Sequence, residues 1–299
     1  MKQKIITIGI SPAWDRTIEI AGVDWGEHKI ISTQTITPAG KALNISRALS
    51  QMGEKSIAAG LWGGEDWGEM EKATADLKKS VQFKFTKAPG RTRTNLTVVD
   101  TAKKRQMHLR SKSTIADEKS LSALNRNLRK IATKNSVCIF AGTMPGGKLL
   151  NKTISLIEAA KKKRAMVIID SSGEPFKKVV AKGGLFLIKP NIEELGELVG
   201  GKIPNKETAV IGAAKKLLGK TEFVLVSMAE KGAILIGREI IISARYEGKK
   251  FDAYNTVGCG DYLLAGFTAE ICKTGDLEAA LQKAVAMATA KAFGFRLDS

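Results

Sequence analysis

The sequence predicts an α/β protein, a three-layer sandwich with a mostly parallel central sheet and a small β-sheet lid. Three observations predict it. Short apolar runs alternate with amphipathic helical stretches along most of the chain. Two other stretches alternate apolar with polar residues and carry Gly, Pro and charge, which suits strands with one wet face. Glycine-rich turns sit where strands give way to helices, the places at which such sheets hold anions.

Taken in order, Ile5–Ile10, Val137–Phe140, Met166–Asp170 and Phe223–Ser227 are apolar or β-branched runs bounded by turn residues, and read as buried strands. Lys41–Met52, Asp117–Ala132, Leu149–Lys163, Lys206–Leu218 and Leu277–Phe293 read as amphipathic helices, several with Lys or Arg near their C-terminal ends, where the helix dipole favours a cation. The stretches Trp14–Ile36 and Phe83–Leu109, exemplified by Thr17-Ile18-Glu19-Ile20 and Thr94-Asn95-Leu96-Thr97-Val98-Val99, read as antiparallel strands of one small sheet. The expected organisation is a core of residues 1–10, 37–82 and 110–299 and a lid of residues 11–36 and 83–109.

With 299 residues, 43% of them hydrophobic, the chain can bury a sizeable core, which excludes a disordered chain or a disulfide scaffold. The 48 basic against 30 acidic side chains give a net charge of +18, a field that attracts anions. Runs such as Lys161-Lys162-Lys163-Arg164 lack the interleaved aromatics of a nucleic-acid surface, so no nucleic-acid partner is expected. Cys138, Cys259 and Cys272 match no zinc spacing, and His28 and His108 lie far apart, so no protein-built metal cage is expected. No cleavable leader follows Met-Lys-Gln-Lys and charges interrupt every long apolar stretch; the expectation is a cytoplasmic protein with no membrane partner.

The strongest local signal is Asn255-Thr256-Val257-Gly258-Cys259-Gly260-Asp261. Small residues at a helix start leave backbone N–H groups uncovered for an anion. Asp261 would repel a resting phosphate there, which is explained if it takes the proton from an attacking hydroxyl. The same residues also fit a glycine-rich loop with an ordinary first-turn aspartate, and spacing alone does not choose. Gly219-Lys220-Thr221 is no Walker A loop, because Ala214 occupies the first glycine position, and Leu263 occupies the third glycine position of a dinucleotide fingerprint. Thr37-Pro38-Ala39-Gly40-Lys41-Ala42-Leu43-Asn44 is a second glycine-containing helix start, bringing a cation at Lys41 and an amide at Asn44. Asp15 follows the first strand, and Arg93 opens the second lid stretch with a guanidinium suited to phosphate. Taken singly, each of these also has an ordinary reading as a turn or surface residue.

In the same order along nearly the whole chain, Ser11-Pro12-Ala13-Trp14-Asp15-Arg16-Thr17, Ala39–Asn44, Thr92-Arg93-Thr94-Asn95, Ala141–Gly147, Asp170–Glu174, Lys189–Leu195 and Asn255–Asp261 resemble the motifs of the ribokinase-like (PfkB) carbohydrate kinases, more narrowly the 1-phosphofructokinase and tagatose-6-phosphate kinase branch. The resemblance implies a ribokinase-like fold, ATP and Mg²⁺ as cofactors, and a sugar phosphate as partner. It implies that Asp261 is the catalytic base and that Gly258, Cys259 and Gly260 form the anion hole. It puts Asp15, Gly40, Lys41 and Asn44 on sugar-binding positions and Arg93 on the position that holds the substrate's own phosphate. Lys189, Asn191, Ser227 and Gly232 fall on the nucleotide side, and Glu194 on the position that organises Mg²⁺ through water.

Fructose 1-phosphate is the substrate first expected; tagatose 6-phosphate, an unphosphorylated sugar or a nucleoside, and a ligand-binding pseudokinase stay open, as does a homodimer through the lid. Departures from the family pattern are Ala39, Ala42, Cys259 and Ala229, and the basic Lys103-Lys104-Arg105-Gln106-Met107-His108-Leu109-Arg110, which bears on sugar identity. Cys259 at a helix start is either a redox-sensitive thiol or a small structural replacement.

Overall fold

The computed structural model describes residues 3–248 and 257–295. Asn255 and Thr256 of the glycine-rich turn lie outside the described residues. In chain order the strands are β1 Lys4–Gly9, β2 Ala13–Ile20, β3 Thr33–Ala39, β4 Ser56–Gly63, β5 Val81–Ala88, β6 Thr94–Asp100 and β7 Arg105–Leu109. They continue as β8 Ser136–Ala141, β9 Met166–Asp170, β10 Leu185–Ile188, β11 Thr221–Ser227, β12 Ala233–Ile236 and β13 Ile241–Ala244. The α-helices are α1 Lys41–Gln51, α2 Trp67–Ala73, α3 Glu118–Ile131, α4 Leu150–Lys162, α5 Gly173–Lys182, α6 Ile192–Val199, α7 Glu207–Lys215, α8 Cys259–Thr274 and α9 Leu277–Phe293.

The large sheet has nine strands in the order β13-β12-β11-β10-β9-β8-β1-β4-β5, parallel except for β12 and β13. Its central strands are continuous apolar runs because both faces are covered. Side chains alternate between faces with period two: Ile6, Ile8, Cys138, Phe140, Val224 and Val226 meet α3 to α7, whereas Ile5, Val137, Ile139 and Leu225 meet α1, α8 and α9. Each fully buried Leu, Ile or Phe contributes about 1.5–3 kcal/mol relative to exposure. Among the described residues no helix is long and apolar enough to cross a membrane.

The strand order reverses at β1, which has β4 on one side and β8 on the other. At such a point the connections leave to opposite faces and open a crevice beyond the carboxyl ends of the strands. From β1 the chain runs through the small sheet and returns as α1, so both reach the mouth of that crevice.

The small sheet runs β3-β2-β6-β7 and departs from the expected arrangement in three respects. Its central pair, β2 and β6, is parallel, with Asp15 opposite Asn95; only the outer pairs are antiparallel. Moreover β5, which contains Phe83, belongs to the large sheet, paired with β4. The alternation in β5 is real, since an edge strand has a face toward solvent, but a half-wet face does not say which sheet the strand joins. The small sheet also extends to Ala39, past the expected limit at residue 36.

A buried carboxylate joins the two sheets. Asp66 accepts hydrogen bonds from the indole N–H groups of Trp14 in β2 and Trp62 in β4, and from the Thr92 backbone N–H just before β6. Burial opposes its charge, but those donors hold its pKa below the ordinary carboxylate value. Asp66→Ala would leave three buried donors unsatisfied at about 1–3 kcal/mol each. Its urea midpoint should therefore fall by the equivalent of about 3 kcal/mol or more; a wild-type midpoint would show that the joint carries no load.

Candidate active site

Two helix N-termini meet at the crevice. Gly258 caps α8 with φ 84°, a left-handed conformation that suits glycine, and no side chain caps the first turn. Gly40 caps α1 next to Pro12, again with no side-chain cap. Asp261, in the first turn of α8, is buried, and its Oδ2 accepts from Asn44 Nδ2 of α1 at 2.9 Å. Burial pushes the Asp261 pKa up to about 6, and the neighbouring Asp170 adds to this, while Lys41, the Asn44 hydrogen bond and Lys189 oppose it. Asp261 thus titrates near neutrality and faces uncovered amides.

Beneath it, the fully buried Asp170 at the end of β9 binds two ammonium groups, Lys41 Nζ at 2.7 Å and Lys189 Nζ at 3.3 Å. Burial works against the Asp170 carboxylate, yet Lys189 and Lys41 hold its pKa below the ordinary value. For Lys41, burial alone would lower the ammonium pKa, but Asp170 raises it well above its usual range. Asp170 was not assigned a role from sequence, although a carboxylate closing an apolar strand at the carboxyl edge was a usable signal. Lys189 reaches the glycine turn as well: a Cβ on Gly260 would lie 3.2 Å from its Nζ, so glycine leaves room for that ammonium.

The segment after Lys189 lies along the same strand edge. Asn191 and Glu194 form a reciprocal capping box on α6: the Asn191 side chain accepts from Glu194 N at 2.8 Å, and Glu194 Oε2 accepts from Asn191 N at 2.9 Å. Asn191 also bridges to Ser227, whose N–H donates to Pro190 O. Glu194 acts electrostatically on Lys41, which ties this segment to the charged cluster. Gly232 closes the following turn where a Cβ would lie 2.0 Å from Ala244 O, so no other residue fits without backbone movement. Ala229, where the family motif carries glycine, holds φ 51°, a left-handed conformation that costs an L-residue about 1–2 kcal/mol.

At the base of the small sheet, Asp15 Oδ1 accepts from Asn95 Nδ2 at 2.8 Å. Arg93 does not stand open. Its Nε donates to Pro12 O, its Nη2 to Ser11 O and its Nη1 to Ser111 O, at 3.2, 3.1 and 2.7 Å. Burial lowers the Arg93 pKa; Asp15 opposes this and the nearby Arg110 adds to it. The sequence-predicted residues therefore fall into three adjoining groups: Lys41, Asn44, Gly258, Cys259, Gly260, Asp261 and Lys189; then Asn191, Glu194, Ser227 and Gly232; then Asp15, Gly40 and Arg93 where the small sheet begins. Burial pushes the Cys259 thiol pKa up and Lys291 opposes this, which disfavours the thiolate.

Chemically, the first group pairs a carboxylate whose pKa is raised to about 6 with a turn that no side chain caps, one buried cation at Lys189 and one part-exposed cation at Lys41, a set that can accept a proton while stabilising a developing polyanion. Comparison with known proteins agrees. Residues 3–294 match the model of the pfkB family carbohydrate kinases. The chain is 32% identical over 295 residues to the 1-phosphofructokinase of Bacillus subtilis strain 168, covering 99% of this chain and 94% of that protein. It is 26% identical over 284 residues to a tagatose-6-phosphate kinase of Staphylococcus epidermidis, covering 94% and 89%. The crystal structure of phosphofructokinase-2 from Escherichia coli in complex with fructose-6-phosphate superposes with a TM-score of 0.90 at 25% identity, covering 99% of this chain and 95% of that one. With fold, site chemistry and relatives in agreement, the chain belongs to the pfkB family of carbohydrate kinases and is a phosphotransferase that acts on sugars.

Proposed function

We propose that the chain transfers the γ-phosphoryl group of ATP to the free primary hydroxyl of a ketohexose monophosphate, fructose 1-phosphate giving fructose 1,6-bisphosphate as the first reading and tagatose 6-phosphate as a close variant. The reading leans on one observation above all, the buried Asp261 carboxylate held by Asn44 at the uncapped N-terminus of α8. Asp261 takes the hydroxyl proton, the sugar oxygen attacks phosphorus in line, and the β–γ bridging oxygen leaves with ADP. The Gly258–Gly260 amides, Lys41 and Lys189 neutralise the charge that develops on the transferred group.

Among the described residues no cluster of three His, Cys, Asp or Glu could hold a metal by protein ligands alone. Glu194, with one carboxylate oxygen engaged by Asn191 N, fits an ion that keeps several waters and takes its other ligands from nucleotide phosphates. Mg²⁺ bound there would lower the charge of the ATP phosphates. The small sheet, which the chain builds between β1 and α1, would act as a lid that excludes water and favours the sugar hydroxyl over hydrolysis.

Asp261→Asn should lower kcat in an ADP-release assay by about 10²–10⁴-fold. Because the base must be ionised, wild-type kcat/KM should fall with acidification through an apparent pKa near 6. A variant retaining several per cent of turnover, or a flat profile between pH 5 and 7, would remove Asp261 from the mechanism.

Arg110 lies close enough to disfavour the Arg93 charge, and a substrate phosphate beside Arg93 would relieve that. We assign Arg93 to it; Arg93→Ala should raise KM for fructose 1-phosphate about tenfold or more while KM for ATP changes little. The three carbonyls that Arg93 already serves favour a second reading, a kinase of an unphosphorylated sugar, and an unchanged sugar-phosphate KM would select it.

We propose further that two copies pair through their small sheets. Ile36 on β3 and Met107 and Leu109 on β7 are about half exposed, at 50%, 51% and 49%, and Trp25 and Ile30 are almost wholly so, an apolar set that water covers poorly. Sedimentation should give twice the monomer mass, and Met107→Lys with Leu109→Lys should give the monomer; a wild-type monomer at micromolar concentration refutes the pairing.

A further inference from the structure

Lys291, in the last turn of α9, is a cation that sequence reading left out. Tyr262 fixes its position: the phenol donates to Gln51 Oε1 at 2.6 Å, which orients a buried ring, and Lys291 Nζ stands 5.7 Å from that ring's centroid in a cation–π contact. Its Cε lies 3.8 Å from the place a Cβ on Gly258 would take, and its charge stabilises the Cys259 thiolate against burial. The ammonium therefore sits beside the uncapped turn that opens α8. Among the described residues no carboxylate lies within ion-pair distance of it, whereas Lys41 and Lys189 share Asp170. Asp261 Oδ2 lies 3.9 Å from that same Cβ position on Gly258, so one carboxylate faces both an ammonium and a helix N-terminus there, which leaves an excess of positive charge for a further anion.

We infer that Lys291 is a further phosphate-binding residue of the transfer site, placing its ammonium against the terminal phosphate of the bound nucleoside triphosphate. This rests on the reading in which the Gly258–Gly260 amides receive the transferred group. On that reading the phosphate meets cations from two sides, Lys189 near Gly260 and Lys291 near Gly258. Lys291 then discriminates triphosphate from diphosphate, because it faces the group that ADP lacks.

Calorimetric titration of the full chain with a non-hydrolysable ATP analogue and with ADP tests this on Lys291→Met, which keeps the stem over Tyr262 and removes the charge, and on Lys291→Arg, which keeps the charge. Lys291→Met should weaken the analogue about tenfold or more while ADP stays within about threefold, and Lys291→Arg should stay within about threefold on both. The inference is overturned if Lys291→Met binds the analogue like wild type, weakens both nucleotides equally, or is matched by Lys291→Arg. The underlying reading fails by a different sign: a wild-type chain that does not bind the analogue, or an Asp261→Asn variant that still turns over, brings down both.

Discussion

A buried carboxylate needs cations, and the arrangement at the crevice follows from that need. Asp170 is wholly enclosed at the end of β9, where an unpaired charge would cost several kcal/mol, roughly, even after the protein relaxes around it. Lys41 and Lys189 answer it from two different elements, one entering α1 and the other leaving β10. Those two ammonium groups are then fixed near Asp261 and Gly260, so the pairing that makes the fold tolerable also sets the electrostatics of the site. Two carboxylates share two cations, and Asp261, the one with a hydrogen bond to Asn44 but no ion pair among the described residues, is the one whose pKa is raised.

The fold makes this convergence possible by reversing direction at β1. Helices α1 and α8 lie on one face of the large sheet and both begin at its carboxyl edge, so their uncovered amides and the ends of β9 and β10 point into one crevice. The chain leaves β1, builds part of the small sheet and returns into α1 without crossing the core. Asp66 then holds the start of that sheet, at β2 and just before β6, to β4 through two indoles and a backbone amide.

The departures from the family's glycine pattern read differently once placed. Ala39 and Ala42 are buried, and a methyl at each is absorbed by the packing; the Ala42 Cβ even occupies the space that a side chain on Gly9 would need. Ala229 is another matter, since its left-handed backbone keeps the conformation of the missing glycine at a local cost. At Gly260 and Gly232 glycine remains, and there a Cβ would meet Lys189 or the Ala244 carbonyl.

The layered α/β fold was legible in the sequence because buried parallel strands and amphipathic helices leave periodic signatures that depend only on neighbours in the chain. The glycine turns were legible in the same way, whereas at Asp261, Lys41 and Asn44 the residue types left an ordinary turn or surface reading open, and the ordered set of motifs singled them out. Short strands such as β10 and β12 carry too few residues for a period to show, and the sheet that β5 joins depends on a partner distant in sequence. Asp170 as the shared counter-ion, Arg93 bound to three carbonyls and Lys291 beside Gly258 were likewise decided by tertiary structure alone. Ion pairs and hydrogen bonds form between groups brought together in space, and a residue's charge does not record which distant group will meet it.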